Sequence, residues 1–194
     1  MFVQVLRGHA IDRDGVMRQL DRWREELTPG AEGWLGTTAG ITDDDRFIAS
    51  FRFDTQESAQ RNSDRTEQDQ WWNEFSKFVD TPRFWDCTLV DQYKGGGSDE
   101  AGFVQVIMCR VLHPEEFRET VRSMAAAPRD DVIGGVVAWL GSRFTEFVYF
   151  TSEEGARKGE STTGQQAALE LIWPRTEDIE YFDLRTPWFA SPSS

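Results

Sequence analysis

The sequence predicts an α+β fold that consists of two tandem β-α-β-β-α-β repeats. Residues 2–6 read Phe-Val-Gln-Val-Leu and residues 103–107 read Phe-Val-Gln-Val-Ile, 101 positions apart in a chain of 194 residues. After each of these segments, strand and helix patterns follow in the same order. A repeated segment followed by a repeated order of elements indicates a duplication, so each copy is predicted to be one ferredoxin-like unit.

The first copy occupies residues 1–94, and its elements follow from local patterns. Asp12 is typical of a helix N-cap, and apolar residues recur after it at helical spacing as far as Pro29. Apolar runs bounded by turn residues predict the strands. The predicted elements, in order, are a strand (Phe2–Arg7), a helix after Asp12, two strands (Gly33–Ala39 and Arg46–Phe53), a helical region from Gln56 to Val79 and a strand (Cys87–Tyr93).

The second copy occupies residues 103–194 and follows a glycine-rich linker at residues 95–102. His113 and Pro114, followed by two glutamates, are typical of a helix start because proline and acidic side chains are favoured in the first turn. The predicted elements are a strand (Phe103–Arg110), a helix from Pro114, two strands (Ile133–Leu140 and Arg143–Phe150), a helical region from Ser152 with Ala167, Ala168, Leu171 and Ile172 near its end, and a strand (Ile179–Leu184).

The alignment of the copies predicts where their lengths differ. Gly40 matches Gly141 at the offset of the opening strands, whereas Phe53 matches Phe150 at an offset four residues smaller. We therefore expect the length change to fall in the turn between the second and third strands, where such changes cost little. Both faces of the strands are largely apolar, so we expect the two sheets to cover each other.

Composition excludes several classes of function. The chain has 34 acidic and 21 basic residues and a formal charge of −13, without a compensating cluster of Lys and Arg, so nucleic-acid binding is not expected. No apolar run approaches 18 residues, and the chain opens directly with a strand, so we expect neither a membrane segment nor a signal peptide and place the protein in the cytoplasm. Cys87 and Cys109 have no metal-ligand spacing and resemble small buried hydrophobes.

The chain resembles the dimeric α/β-barrel superfamily, and each half resembles an antibiotic-biosynthesis monooxygenase (ABM) domain. The resemblance rests on the two opening strands, on the helix start at 113–117, on residues 54–59 after the third strand and on the helical segment at 72–79. It implies two ferredoxin-like repeats that pack sheet to sheet as an intramolecular dimeric α/β barrel. It also implies that ligands lie between a sheet and its helices or within the barrel.

Neither histidine is a convincing metal ligand. His9 follows the first strand and is a candidate general base at a pocket mouth, or else a residue of a surface turn. His113 has the structural role of a helix N-cap. Two isolated histidines do not make a zinc or non-haem iron site, and we predict no metal site. Motifs for nucleotide binding, for a serine hydrolase and for a zinc protease are absent from the sequence.

Five polar residues on the strands are candidates for a site. Gln4 and Gln105 occupy equivalent positions and either contact each other across a pseudo-twofold axis or face a ligand. Arg52 and Tyr149 are equivalent in the third strands and could stabilise an enolate or phenolate, although an arginine such as Arg52 more often pairs with a carboxylate at the sheet edge. Glu146 lies on the opposite face of its strand from Tyr149 and is a candidate ligand-binding residue.

Tryptophans are the other candidates for a ligand-binding wall. Trp34, Trp72 and Trp139 could line an aromatic pocket, and Trp71 could join them, although packing in the core is the more common role of tryptophan. Trp71 and Trp72 are adjacent, so only one of them can head the core face of a helix.

Two functions from different classes remain open. The first is a cofactor-independent monooxygenase that acts on a small aromatic substrate, with catalytic candidates His9, Arg52 and Tyr149 and without a bound cofactor. The alternative is a non-catalytic module that binds a small ligand or a partner, and haem binding is a third, weaker hypothesis. A monomer and a homodimer are both compatible with the duplicated fold.

Overall fold

A computed structural model describes residues 1–125, 129–162, 170 and 173–192. The chain divides into two compact units, which we call the first unit (Met1–Leu89 with Pro187–Ser194) and the second unit (Val90–Thr186). Each unit contains a five-stranded antiparallel sheet with helices. The prediction of two tandem ferredoxin-like repeats is therefore confirmed.

The first unit is built from strands and helices in the predicted order, with one strand added from the C-terminal end of the chain. Its sheet has the strand order β10-β2-β3-β1-β4. Its elements are β1 (Phe2–Ala10), α1 (Arg13–Arg22) continued by a π-helical turn (Trp23–Leu27), β2 (Trp34–Ile41), β3 (Arg46–Phe53), α2 (Gln56–Ser63), α3 (Thr66–Phe75), β4 (Val79–Cys87) and β10 (Trp188–Ala190).

Local sequence explains how the helices of the first unit start. The Asp12 side chain accepts a hydrogen bond from the Gly15 backbone N–H, and the Thr55 side chain accepts one from that of Ser58. These caps satisfy backbone donors that the first turn of a helix leaves free. Apolar side chains at helical spacing, such as Val16 of α1, are buried against the sheet.

The second unit repeats the architecture. Its sheet has the strand order β5-β7-β8-β6-β9. Its elements are β5 (Leu89–Tyr93), β6 (Phe103–Val111), α4 (Pro114–Ala125), β7 (Val132–Leu140), β8 (Arg143–Phe150), α5 (Glu153–Glu160) and β9 (Thr176–Leu184). Ala167, Ala168, Leu171 and Ile172, predicted near a helix end, lie outside the described residues.

The units exchange edge strands relative to the boundaries predicted from the repeat. Strand β5 lies at the end of the predicted first repeat but pairs in the sheet of the second unit, next to β7. Strand β10 lies at the end of the predicted second repeat but pairs with β2 in the first unit, where Trp188 lies opposite Ala39. The predicted boundaries at residues 94 and 103 therefore do not match the compact units, because each sheet takes its fifth strand from the end of the other predicted repeat.

The fourth strand lies earlier than predicted. Helix α3 ends at Phe75, and β4 runs from Val79 to Cys87 along β1. Most side chains of β4 are exposed, because β4 is an edge strand of the sheet. Its sequence therefore lacks the apolar alternation that predicts a strand. The apolar run beyond Cys87 was taken for the fourth strand but forms β5.

Strand register also corrects the predicted position of the length change. Val3 and Gly36 both pair with Arg52, and Val104 and Gly134 both pair with Tyr149 in the other unit. Three of the four extra residues of the first repeat therefore precede β2, and one lies in the β2–β3 turn. The π-helical turn and the short 3₁₀ helix of residues 23–30 occupy the longer connection.

The alternating direction of side chains along the central strands places the candidate residues on two different faces of the sheet. In β8, Phe144 and Val148 belong to the apolar clusters beneath the helices, and Glu146 lies between them on the same face. Tyr149 lies on the opposite face, because successive side chains of a strand point in opposite directions. Arg52 has the same position in β3.

No helix among the described residues is long and apolar enough to cross a membrane.

Candidate functional site

The second unit contains a cavity of about 410 Å³ between the helix-facing side of its sheet and helices α4 and α5. Strands β5, β6, β8 and β9 contribute to one wall, and α4 contributes an apolar stripe to the other. We call it the acidic cavity, because Glu146 lies in its wall. Its apolar lining consists of Ile107, Cys109, Phe117, Val121, Met124, Ala125, Val132, Phe144, Val148, Phe150 and Ile179.

Glu146 and Tyr93 form a hydrogen-bonded pair in this wall. The Tyr93 hydroxyl donates to Oε1 of Glu146 over 2.8 Å. Burial raises the pKa of Glu146 to about 7, although the Tyr93 hydrogen bond acts in the opposite direction. Burial, reinforced by the Glu146 carboxylate, also raises the pKa of Tyr93 well above its usual value. At neutral pH the pair therefore consists of a neutral phenol and a carboxyl group close to its midpoint.

Gly135 makes room for this pair. A Cβ atom on Gly135 would lie 1.8 Å from Cζ of Tyr93, so the tyrosine ring passes directly over the glycine backbone. Strand register places Thr37 at the equivalent position of the first unit and Ala49 at the position of Glu146. The first unit therefore lacks both the space and the acid that build the pair.

Cys109 is the other titratable group in the apolar part of the wall. Burial, and secondly the nearby Glu146 carboxylate, raise the pKa of its thiol to about 12. Because only the thiolate is a strong nucleophile, Cys109 is an apolar wall residue at neutral pH.

The rim of the acidic cavity is charged, and its charges are paired. Arg157 contacts Asp183, whose Oδ1 also accepts a hydrogen bond of 3.0 Å from Nε2 of Gln105. Arg129 is paired with Asp131. The Lys94 ammonium donates to main-chain carbonyl oxygens, including that of Val132 at 2.9 Å. These contacts leave Glu146 as the acid of the apolar interior and confine the ion pairs to the rim.

Strand β5, which carries Tyr93, is fastened to α4 by Asp91. The Arg118 guanidinium makes two hydrogen bonds to Asp91, of 2.6 and 2.9 Å. The Arg122 guanidinium also pairs with Asp91, at 2.7 Å. Nε1 of Trp139 also donates to Asp91 over 3.2 Å. The bonds from Arg118, and those from Arg122, hold the pKa of Asp91 at about 2 despite its partial burial. This clamp fixes the strand that positions Tyr93.

The acidic cavity brings together only two of the predicted site residues, Gln105 and Glu146. Gln4 and Trp72 line a separate cavity in the first unit. The amide nitrogen of Gln4 donates to Asp86 over 2.9 Å, and Asp86 is the counterpart of the Asp183 that binds Gln105. The side-chain amide nitrogen of each glutamine thus donates to an aspartate on the neighbouring strand of its own sheet.

The other predicted residues line neither of these cavities. His9 is exposed at the end of β1, and Arg52 and Tyr149 are buried on the sheet faces that point away from the helices. Trp34 is buried in the core and donates to Oγ1 of Thr37 over 3.0 Å. Trp139 packs in the core and serves the Asp91 clamp.

Tyr93 is the site residue that sequence reasoning missed. It lies at the end of the segment that was assigned to the first repeat, whereas its partner Glu146 belongs to the second. A usable signal was the glycine at position 135, since a glycine inside an apolar strand indicates a close approach by another group.

Among the described residues, no cluster of three or more His, Cys, Asp or Glu side chains could hold a metal ion.

Solved structures match nearly the whole chain. A candidate monooxygenase from Lactobacillus acidophilus is 13% identical with a TM-score of 0.77, and the match covers 98% of this chain and 95% of that one. A candidate monooxygenase from Fusobacterium nucleatum gives 7% identity, a TM-score of 0.79 and coverage of 98% and 94%. An anthrone oxidase-like protein is 9% identical with a TM-score of 0.69, and the match covers 98% of this chain and 92% of that one.

The chain shares its fold with these three proteins. At these identities the likeness shows the fold alone. The comparison with family models found no match, and neither did the comparison with curated proteins.

Proposed function

We propose that the second unit is a cofactor-independent monooxygenase, which oxidises a small aromatic substrate in the acidic cavity with Glu146 as the base. The observation that carries the proposal is the hydrogen-bonded pair of Glu146 and Tyr93, both half-buried, in a largely apolar wall. The likeness in fold to candidate monooxygenases and to an anthrone oxidase-like protein adds to it.

The cavity wall selects the substrate class. Phe117, Phe144 and Phe150 offer aromatic surfaces, and the aliphatic side chains around them exclude water. A fused aromatic ring system with a ring CH₂ group activated by a neighbouring carbonyl fits such a wall. Its C–H bond is acidic because the resulting carbanion is delocalised as an enolate.

Glu146 supplies the proton transfers. With a pKa of about 7, its carboxylate is present at neutral pH and is basic enough to accept a proton from an acidic C–H group. Once Glu146 is protonated, the Tyr93 hydroxyl becomes available to donate to the enolate oxygen of the substrate. A preorganised donor in a dry cavity stabilises such an anion far better than water does.

Oxygen is the electron acceptor in this scheme, and the substrate supplies the electrons. The enolate transfers one electron to O₂, and the resulting radical and superoxide join through a new C–O bond. Glu146 returns its proton to the peroxide. Loss of the second C–H proton, with cleavage of the O–O bond, then gives the ketone and water. The balance is CH₂ + O₂ → C=O + H₂O, which needs no further reductant.

Oxygen uptake with anthrone as the probe tests the proposal. Glu146→Gln keeps an acceptor for Tyr93 but removes the base, so the enzymatic rate should fall by about 10²- to 10⁴-fold after subtraction of the uncatalysed oxidation. Glu119→Gln makes the same chemical change at an exposed site on α4 and should retain the wild-type rate. Equal oxygen uptake by wild-type protein and Glu146→Gln would contradict the proposal.

Non-catalytic binding of a small ligand is the second candidate, because the wall is apolar and its ion pairs are confined to the rim. The same assay separates the two functions. A wild-type protein that binds anthrone but leaves its oxidation rate unchanged would support binding alone. Neither His9 nor His113 lines the acidic cavity or the other cavity described above, so these two cavities give no support to a histidine-ligated haem.

A further inference from the structure

The first unit contains a cavity of its own, of about 260 Å³, between the helix-facing side of its sheet and helices α2 and α3. Aromatic rings dominate its walls, and we call it the amide cavity because its polar groups are mainly carboxamides. The aromatic lining consists of Trp23, Phe51, Phe53, Trp71, Trp72 and Phe84.

The polar groups of the amide cavity form a small network. Nε1 of Trp23 donates to Oε1 of Gln68 over 3.0 Å, and Nδ2 of Asn62 approaches the same oxygen at 3.4 Å. The Gln68 carboxamide, whose oxygen is held by these two contacts, lines the cavity. Asn62 is buried, and its Oδ1 accepts from Arg65 over 3.1 Å. The wall therefore offers neutral hydrogen-bonding groups fixed by their neighbours.

The amide cavity lacks the chemistry of the acidic cavity. Ala49 occupies the position of Glu146, and the acid that lines this cavity, Asp69, is exposed at its edge. A charged ligand would lose its hydration here without gaining a buried ionic partner, which is unfavourable. A neutral planar ring would instead leave water and pack against the aromatic side chains of the wall.

The mouth of the cavity supports the same ligand class. Phe84 is 45% exposed although it is a large apolar residue, and the centroids of its ring and the Trp72 ring are 4.9 Å apart. An exposed aromatic ring beside an aromatic cavity offers a stacking surface for a ligand that enters.

We propose that the amide cavity of the first unit is a second, non-catalytic binding site for an uncharged planar aromatic molecule. The duplicated fold thus carries two sites that differ in chemistry, an acid-containing one in the second unit and a neutral one in the first. This inference goes beyond the proposed monooxygenase function and does not depend on it.

Equilibrium dialysis with coumarin and with coumarin-3-carboxylate tests the proposal, because the two probes share a ring system and differ in charge. Quenching of tryptophan fluorescence gives a local readout, since six of the eight tryptophans lie in the first unit. Two variants close the amide cavity: Ala59→Leu fills its interior, and Ser63→Trp blocks it from an exposed position that leaves the core unchanged. Val148→Phe fills the acidic cavity as the matched control.

We expect coumarin to quench the tryptophan fluorescence of the wild type. Dialysis, which the tryptophan added at position 63 does not disturb, should give a dissociation constant that rises at least about tenfold in Ala59→Leu and Ser63→Trp but not in Val148→Phe. Coumarin-3-carboxylate should bind the first unit at least about tenfold more weakly than coumarin. Three results would overturn the proposal: no binding of coumarin, unchanged binding in both cavity-closing variants, or equal affinity for the two probes. Ser63→Trp keeps the test decisive if Ala59→Leu does not fold.

Discussion

Replacing Glu146 by glutamine should stabilise the second unit above pH 7 and leave its stability nearly unchanged below pH 4.5. The carboxyl group is protonated in both the folded and the unfolded chain below pH 4.5. Between pH 4.5 and about 7 the unfolded chain has released this proton whereas the folded unit still holds it. Stability of the wild-type protein therefore falls as the pH rises through this window, because the folded state binds more protons.

The size of the effect follows from the two pKa values. The pKa rises from 4.5 to about 7 on folding, and each pKa unit corresponds to about 1.4 kcal/mol, so the ionised Glu146 costs about 3 kcal/mol of stability at high pH. Glutamine can still accept the Tyr93 hydrogen bond but carries no charge. The free energy of unfolding of Glu146→Gln minus that of the wild type should climb from near zero to about 3 kcal/mol.

Urea unfolding across a pH series measures this difference, and hydrogen exchange of β8 peptides assigns the transition to the second unit. Infrared difference spectra give an independent reading, because a protonated carboxyl band should disappear in the variant and titrate in the wild type near pH 7. Glu119→Gln should shift stability by less than about 0.5 kcal/mol at every pH. A pH-independent difference for Glu146→Gln would refute the reasoning.

Three further substitutions probe the surroundings of the site. Tyr93→Phe removes the hydrogen bond that lowers the pKa of Glu146, so the infrared midpoint should move above 7, and an unchanged midpoint would argue against the pair. Gly135→Ala places a Cβ atom 1.8 Å from Cζ of Tyr93, so we expect a lower melting temperature and a similar rise in that midpoint; a wild-type midpoint would mean that the ring keeps its place. The Asp91 pKa is lowered from 3.8 to about 2, so Asp91→Asn should cost about 2 kcal/mol in urea unfolding at neutral pH. This stability is present above pH 3.8 and is lost as the pH falls through about 2. An Asp91→Asn variant that loses as much stability at a pH of about 2 as at neutral pH would contradict the role of the ion pair with Arg118.

Much of the fold could be predicted because the chain repeats its opening strand and its order of elements. The buried strands carry a strong apolar signal, and capping residues such as Asp12 mark where helices begin. Strand β4 could not be found in this way, because an edge strand with exposed side chains shows no apolar alternation. The exchange of β5 and β10 was equally hidden, since sequence adjacency says nothing about which sheet a short terminal strand joins.

The candidate site could be predicted only in part. Glu146 was visible as a carboxylate between apolar residues of a central strand, at a position where the first repeat has Ala49. Its role as the acid of a cavity depends on the Tyr93 hydroxyl, and the contact between them joins residues 53 positions apart. His9, Arg52 and Tyr149 were proposed from residue type and strand position, and neither property tells whether a side chain reaches a cavity.

The exchanged edge strands determine how the chain can be divided for expression. A fragment cut at the repeat boundary, residues 103–194, would contain Glu146 but lack Tyr93 and the Asp91 clamp, together with an entire strand of its sheet. A fragment of residues 90–186 would keep acid, phenol and clamp on one polypeptide. Any protease that cuts the glycine-rich segment at 95–97 would convert the Tyr93–Glu146 contact from an interaction within one covalent chain into one between two fragments. Each fragment would then contribute one strand, β5 or β10, to the sheet of the other.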